Sequence, residues 1–101
     1  MTEYCERESF EARCGPSEVI VMQHGVYGRM HLGGCVQQAY NNIGCSADVL
    51  PELDRRCSGK SECSFPVTSL QDVASPCPQD LMSYLEASYS CLPGKYNICN
   101  L

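Results

Sequence analysis

The sequence predicts a small α+β domain, an antiparallel sheet with one or two short helices and long loops, stapled by four disulfides. Three observations carry that prediction. Nine cysteines in 101 residues reach the density at which a short chain is read as a disulfide scaffold. Two segments, 9–14 and 83–91, alternate apolar and polar residues in the manner of half-buried strands. A single stretch, 46–56, carries a helical pattern. The length suits one domain, and the chain holds no internal repeat, low-complexity run or linker.

Along the chain, Phe10, Ala12 and Cys14 alternate with Ser9, Glu11 and Arg13, which gives a strand with one buried face. Gly15-Pro16-Ser17 turns the chain. Residues 18–23 are β-branched and apolar on both sides and read as a central strand. His24-Gly25-Val26-Tyr27-Gly28-Arg29 breaks that regularity, its two glycines suggesting positive φ in a loop. The stretch 33–45 is polar and mostly loop. Ser46-Ala47-Asp48 opens a helix running to Arg56, with an N-cap candidate and Pro51 in its first turn. Cys57 to Cys63 is a small loop readily closed by its own two cysteines. Residues 63–67 read as a short edge strand because of Pro66, and 69–73 as one helical turn. In the last strand Leu85, Ala87, Tyr89 and Cys91 share one side, and Tyr84, Glu86, Ser88 and Ser90 the other.

Composition excludes several function classes. Twelve acidic against seven basic residues leave a net charge of −5, contrary to the basic stripe that a phosphate-backbone binder needs. No apolar run approaches the ~20 residues of a membrane span, so no membrane insertion is expected. No Cys-x-x-Cys pair occurs, and His24 and His31 lie far from any close pair of cysteines; the short spacings of zinc and thioredoxin-like sites are therefore missing. Neither a metal nor a cofactor is expected. No Gly-x-Ser-x-Gly and no paired nucleophile and base occur, the two histidines read as surface residues, and Glu6, Glu8 and Glu11 read as a solvated strand. The chain is not expected to be an enzyme. Cysteine usage places it outside the cell. Residues 1–5 show no basic n-region or apolar h-region, and no Asn-x-Ser/Thr sequon occurs, so the expectation is a mature secreted chain whose leader is absent.

Binding is better supported. Tyr27-Gly28-Arg29 puts an aromatic ring beside a cation and backbone donors, a combination that suits a polar ligand and sugars in particular. Arg29 equally suits a structural role, tying two loops by hydrogen bonds.

Several motifs together resemble a known family. Cys5-Glu6 and Cys14 precede an apolar strand and Tyr27-Gly28-Arg29; later come the run Arg56-Cys57-Ser58-Gly59-Lys60-Ser61-Glu62-Cys63-Ser64, then Pro76-Cys77-Pro78, Tyr84-Leu85-Glu86 and Tyr89-Ser90-Cys91. This pattern resembles the rhamnose- and galactose-binding lectin domain of the sea urchin egg lectin type, found also in fish egg lectins and at the N-terminus of latrophilins. The resemblance covers residues 4–92, and it implies a lectin domain over 1–92 with a tail over 93–101. It also implies the bridges Cys5–Cys35, Cys14–Cys91, Cys45–Cys77 and Cys57–Cys63. Cys99, in the tail, stands outside that frame; it is either a free thiol or the bridge of a homodimer.

The resemblance implies a sugar site as well. Glu6 matches the family glutamate that accepts hydrogen bonds from neighbouring sugar hydroxyls, and Tyr27 matches the motif tyrosine. Other positions depart from the pattern. Val26 stands where an Asn is common, Ser75-Pro76-Cys77 where the family has Asp-Pro-Cys, and Ser83 where a lysine donates to the sugar. The loop at 79–85 is one residue longer, and Asp80 in it is a candidate replacement for the missing carboxylate. Each lost charged partner removes a hydrogen bond worth ~1.5–3 kcal/mol. The expectation is therefore a secreted lectin of altered galactose- or rhamnose-like preference, binding cell-surface or microbial glycans. The alternative is a protein-interaction module on the same scaffold, suggested by the missing lysine and by Val26, Leu81 and Met82.

Overall fold

Strand β3 (Glu18–Gly28) organises the domain. In the computed structural model, which describes residues 2–31, 33–36, 44–78 and 81–94, β3 pairs antiparallel along its whole length with β6 (Tyr84–Pro93). Its far end also pairs with β4 (Ser46–Asp48), and β6 pairs on its other side with β1 (Thr2–Tyr4). The resulting four-stranded sheet has the order β1-β6-β3-β4. A second sheet of two antiparallel strands, β2 (Ser9–Arg13) and β5 (Glu62–Pro66), covers it. Helix α1 (Leu50–Cys57) and a 3-10 helix (Val67–Asp72) complete the described elements.

The core lies between the two sheets. Phe10 and Ala12 point inward from β2, Ile20, Met22 and Tyr27 from β3, Leu85 and Ala87 from β6, and Leu53 from α1; all are buried. The apolar alternation in β2 and β6 thus becomes one continuous interior, as the strand period requires. Four disulfides close it, Cys5–Cys35, Cys14–Cys91, Cys45–Cys77 and Cys57–Cys63, the pairs that the family pattern implies. Cys99 and Asp80 lie outside the described residues.

Two local expectations are corrected. The strand does not stop at Gln23, since 24–28 continue β3. The irregularity seen in the sequence is a bulge, with pairing passing from Met22↔Tyr89 to His24↔Ser88 and leaving Gln23 as the extra residue. The bulge flips the alternation, so that Gly25 and Tyr27 inherit the inward face of Ile20 and Met22. Of the two glycines only Gly28 has positive φ, at 152°; Gly25 instead gives way to Leu53, whose side chain packs where a Cβ would stand.

Second, Ser46–Asp48 is not the first turn of a helix. Its backbone completes the ladder of Val26–Gly28, and the helix starts only at Leu50, with Pro51 in its first turn and Asp48 Oδ1 accepting from the Leu50 N–H at 2.9 Å. Tyr84, which shares a side of β6 with Glu86, adds a finding that the strand pattern did not address. It is buried, its hydroxyl accepting from the His31 N–H at 3.1 Å and donating to the His31 carbonyl at 3.3 Å.

Candidate functional site

The inward end of β3 opens onto a cleft of about 410 Å³, lined by Glu6, Tyr27, Gln71, Asp72, Ala74, Ser75, Cys77, Pro78, Leu81 and Ser83. Four separate parts of the chain supply it. Glu6 sits in the turn between β1 and β2 rather than within a strand. Glu8 closes that turn, its carboxylate accepting from the Cys5 N–H at 2.6 Å and its own N–H donating to the Cys5 carbonyl at 2.9 Å. Cys5–Cys35 pins its start. Tyr27 is almost entirely buried, so the ring is fixed by packing and only the hydroxyl end is offered to the cleft.

Gln71 and Asp72 close the 3-10 helix, and Gln71 Nε2 donates to Glu6 Oε1 at 3.3 Å. Ser75 lines the following segment, its hydroxyl donating to the Gln71 carbonyl at 3.2 Å. Cys45–Cys77 ties that segment to the entry of β4. Ser83, also buried, precedes β6.

The electrostatics of the cleft are one-sided. Two carboxylates, Glu6 and Asp72, face it, with no lysine or arginine among the described lining residues. The Tyr27 phenol is raised above its ordinary value of 10.0, first by burial and also by the Glu6 charge, while side-chain hydrogen bonds to Gln71 and Ser83 pull it down. Tyr27 is therefore a neutral hydroxyl at neutral pH, able both to donate and to accept. The arrangement offers carboxylate acceptors, an amide donor and two hydroxyls to a small polar ligand.

Of the residues singled out in the sequence, the structure brings Glu6, Tyr27 and Ser83 together. Arg29 does not line the cleft. It is buried, with Nη1 donating to the Met82 carbonyl at 2.7 Å, and so holds the 81–83 wall against the end of β3. Val26 alternates to the opposite side of the strand, across from Glu86. Gln71 and Asp72 were not anticipated. The available signal was an acidic residue three positions before Ser75, the place where the family pattern carries its carboxylate.

Residues 12–91 match the family described as the D-galactoside/L-rhamnose binding SUEL lectin domain. The chain belongs to that family. It is 32% identical over 92 residues to latrophilin-like protein 1 of Caenorhabditis elegans, covering 87% of this chain and 9% of that protein. It is 31% identical over 94 residues to human adhesion G protein-coupled receptor L1, covering 90% of this chain and 6% of the receptor. It is also 31% identical over 90 residues to the L-rhamnose-binding lectin CSL1 of Oncorhynchus keta, covering 84% of this chain and 30% of the lectin. The chain thus spans less than a tenth of the first two of these relatives and under a third of the lectin. No helix among the described residues is long and apolar enough to cross a membrane.

Proposed function

We propose that this SUEL lectin domain is an extracellular, non-catalytic carbohydrate-binding unit that holds one terminal sugar, galactose- or rhamnose-like, in the Glu6–Tyr27–Ser83 cleft. One observation carries the reading: a carboxylate, a neutral phenol and a hydroxyl from distant parts of the chain converge on one pocket of sugar size, in a family whose description names these two sugars. Glu6 accepts from adjacent sugar hydroxyls once Gln71 yields its 3.3 Å hydrogen bond. Asp72 stands in for the carboxylate that Ser75 lacks, and Gln71 supplies the amide donor in place of the missing lysine. The lectin unit is residues 1–92, with 93–101 as a tail. With the other eight cysteines closed on one another, a covalent homodimer rests on Cys99 alone. A single monomer band on a non-reducing gel rejects that part of the proposal.

The test is a glycan array on the oxidised protein. Binding to galactose- or rhamnose-terminated glycans, competed by free sugar and weakened about tenfold or more by Glu6→Gln, supports the reading, since a hydrogen bond to a charged group contributes ~1.5–3 kcal/mol. A blank array with folded protein rejects it. The second reading, a protein-interaction surface, is favoured by the exposed Met82 at the cleft wall and by a relative that is a much longer receptor. Under it, Glu6→Gln leaves partner binding unchanged.

A further inference from the structure

The cleft holds more hydrogen-bond acceptors than donors. Its two carboxylates, Glu6 and Asp72, come from different parts of the chain. Among the described residues the Asp72 side chain makes no hydrogen bond or ion pair, and Glu6 receives only the Gln71 amide, at 3.3 Å. Gln71 and Ser83 also hydrogen-bond the Tyr27 phenol. The neutral donors are thus largely spent on one another, while carboxylate oxygens, each with two lone pairs, are left over. No lysine or arginine stands among the described lining residues to neutralise them.

A neutral sugar corrects this imbalance only in part. Each of its hydroxyls brings one hydrogen, but also lone pairs that call for donors in turn. A primary ammonium brings three hydrogens, no lone pair and a positive charge, and its bonds to carboxylates are charge-assisted on both sides. The negative field reaches the interior of the site, since the Glu6 charge is one of the causes that raise the buried Tyr27 phenol. An ammonium on its own leaves most of a cleft of about 410 Å³ unfilled. Ala74, Pro78 and Leu81 give the cleft an apolar side, which suits the C–H face of a pyranose ring. A ring of that kind bearing an ammonium is an amino sugar.

We propose that the cleft selects amino sugars: a hexosamine with a free, protonated amine binds in preference to its neutral parent, with Glu6 and Asp72 receiving the ammonium. This selectivity rests on the sugar-binding reading above and narrows its ligand class. The same carboxylates reject a sugar that carries a carboxylate or a sulfate, because like charges meet. N-Acetylation takes away the charge and two of the three hydrogens and adds a carbonyl acceptor, so it removes the advantage.

The experiment titrates the oxidised protein by calorimetry with galactosamine, galactose, N-acetylgalactosamine and galacturonic acid, at a pH where the sugar amine is protonated. Galactosamine should bind about tenfold or more tighter than galactose, N-acetylgalactosamine no tighter than galactose, and galacturonic acid most weakly. The ratio of galactosamine to galactose affinity should shrink at high salt. It should also fall about threefold or more in Glu6→Gln and in Asp72→Asn, each shown to be folded by far-UV circular dichroism. Galactosamine no tighter than galactose, or a ratio that survives both substitutions, overturns the selectivity and leaves the sugar reading in place. Nα-Acetyl-lysine amide binding as tightly as galactosamine overturns it as well, because the ammonium alone is then the ligand. Folded protein that binds none of the four sugars rejects the sugar reading itself, and the selectivity with it.

Discussion

Two glycines three residues apart in β3 should respond very differently to alanine, because one faces a side chain and the other a backbone. At Gly25 an added Cβ would overlap Leu53 Cδ1, the movable end of a core side chain. Overpacking of that kind costs ~1–3 kcal/mol, against which the stiffer unfolded chain returns ~0.4–1 kcal/mol. Gly25→Ala should therefore lose about 1–2 kcal/mol. At Gly28 the same atom would collide with the Cys45 carbonyl oxygen and lie 2.7 Å from Ser46 Cα, at φ +152°. Strain at such a φ costs ~1–3 kcal/mol. The overlap adds a similar amount, and β4 cannot withdraw without losing its ladder with β3. Less the same ~0.4–1 kcal/mol return, Gly28→Ala should lose about 3 kcal/mol, a fall of about 12–24 °C in Tm for a domain of this size. Urea unfolding of the oxidised protein, read by far-UV circular dichroism with an unchanged m value, measures both. Leu53→Ala alone should cost ~2–5 kcal/mol, but combined with Gly25→Ala the loss should fall short of additive by ~0.5–3 kcal/mol. Combined with Gly28→Ala it should be additive. Equal losses at the two glycines, or additivity at Gly25, would refute the reasoning.

Arg29→Lys keeps the charge but loses the rigid fork aimed at the Met82 carbonyl. It should lower stability by about 1–3 kcal/mol in urea unfolding and, by loosening the 81–83 wall, weaken any sugar response on the array. Tyr4, Tyr27 and Tyr84 are all raised above 10.0, chiefly by burial. Their neutral forms are favoured in the folded state, so the stability they contribute is fully present below pH 10.0 and is lost as pH rises through their folded values. A tyrosinate absorbance titration should show this as delayed ionisation, relative to the urea-unfolded chain. Replacing Cys5 and Cys35 together by alanine opens a bridge of sequence separation 30. The loop-entropy estimate is about 3–4 kcal/mol, and because the bridge anchors the Glu6 turn, sugar binding should fall with it; an unchanged urea midpoint would contradict this.

Much of the fold was legible because its signals are local. Phe10 and Ala12 alternate in the sequence as they do in the sheet, β6 announces itself through Leu85 and Ala87, and the closed loop from Cys57 to Cys63 is visible from spacing alone. What escaped depends on distant partners. The second glycine of the Tyr27 region has positive φ, as the sequence suggested, but Gly25 answers to Leu53, 28 residues further on. Ser46–Asp48 has the composition of a helix start and becomes a strand because β3 offers it a free edge. Glu6 and Tyr27 were found by their motif, whereas Gln71 and Asp72 enter the cleft through the placement of a 3-10 helix, a position that no short-range pattern encodes.

The bulge at Gln23 is where sequence, fold and function meet. Strict alternation from Ile20 and Met22 would carry His24 and Val26 into the core and turn Tyr27 out to solvent. One extra residue reverses this. Gly25 then faces α1, Tyr27 is buried with its hydroxyl at the cleft, and His24 stands outside beside Glu86. A single strand thus serves a sugar-sized pocket on one face and a histidine–carboxylate cluster on the other. The two sets of residues interleave along 24–27 with no side chain in common. That separation allows the cleft and the cluster to be altered independently: His24→Ala should leave the Glu6–Tyr27 geometry intact, because the two faces are coupled only through a backbone that β6 holds in register.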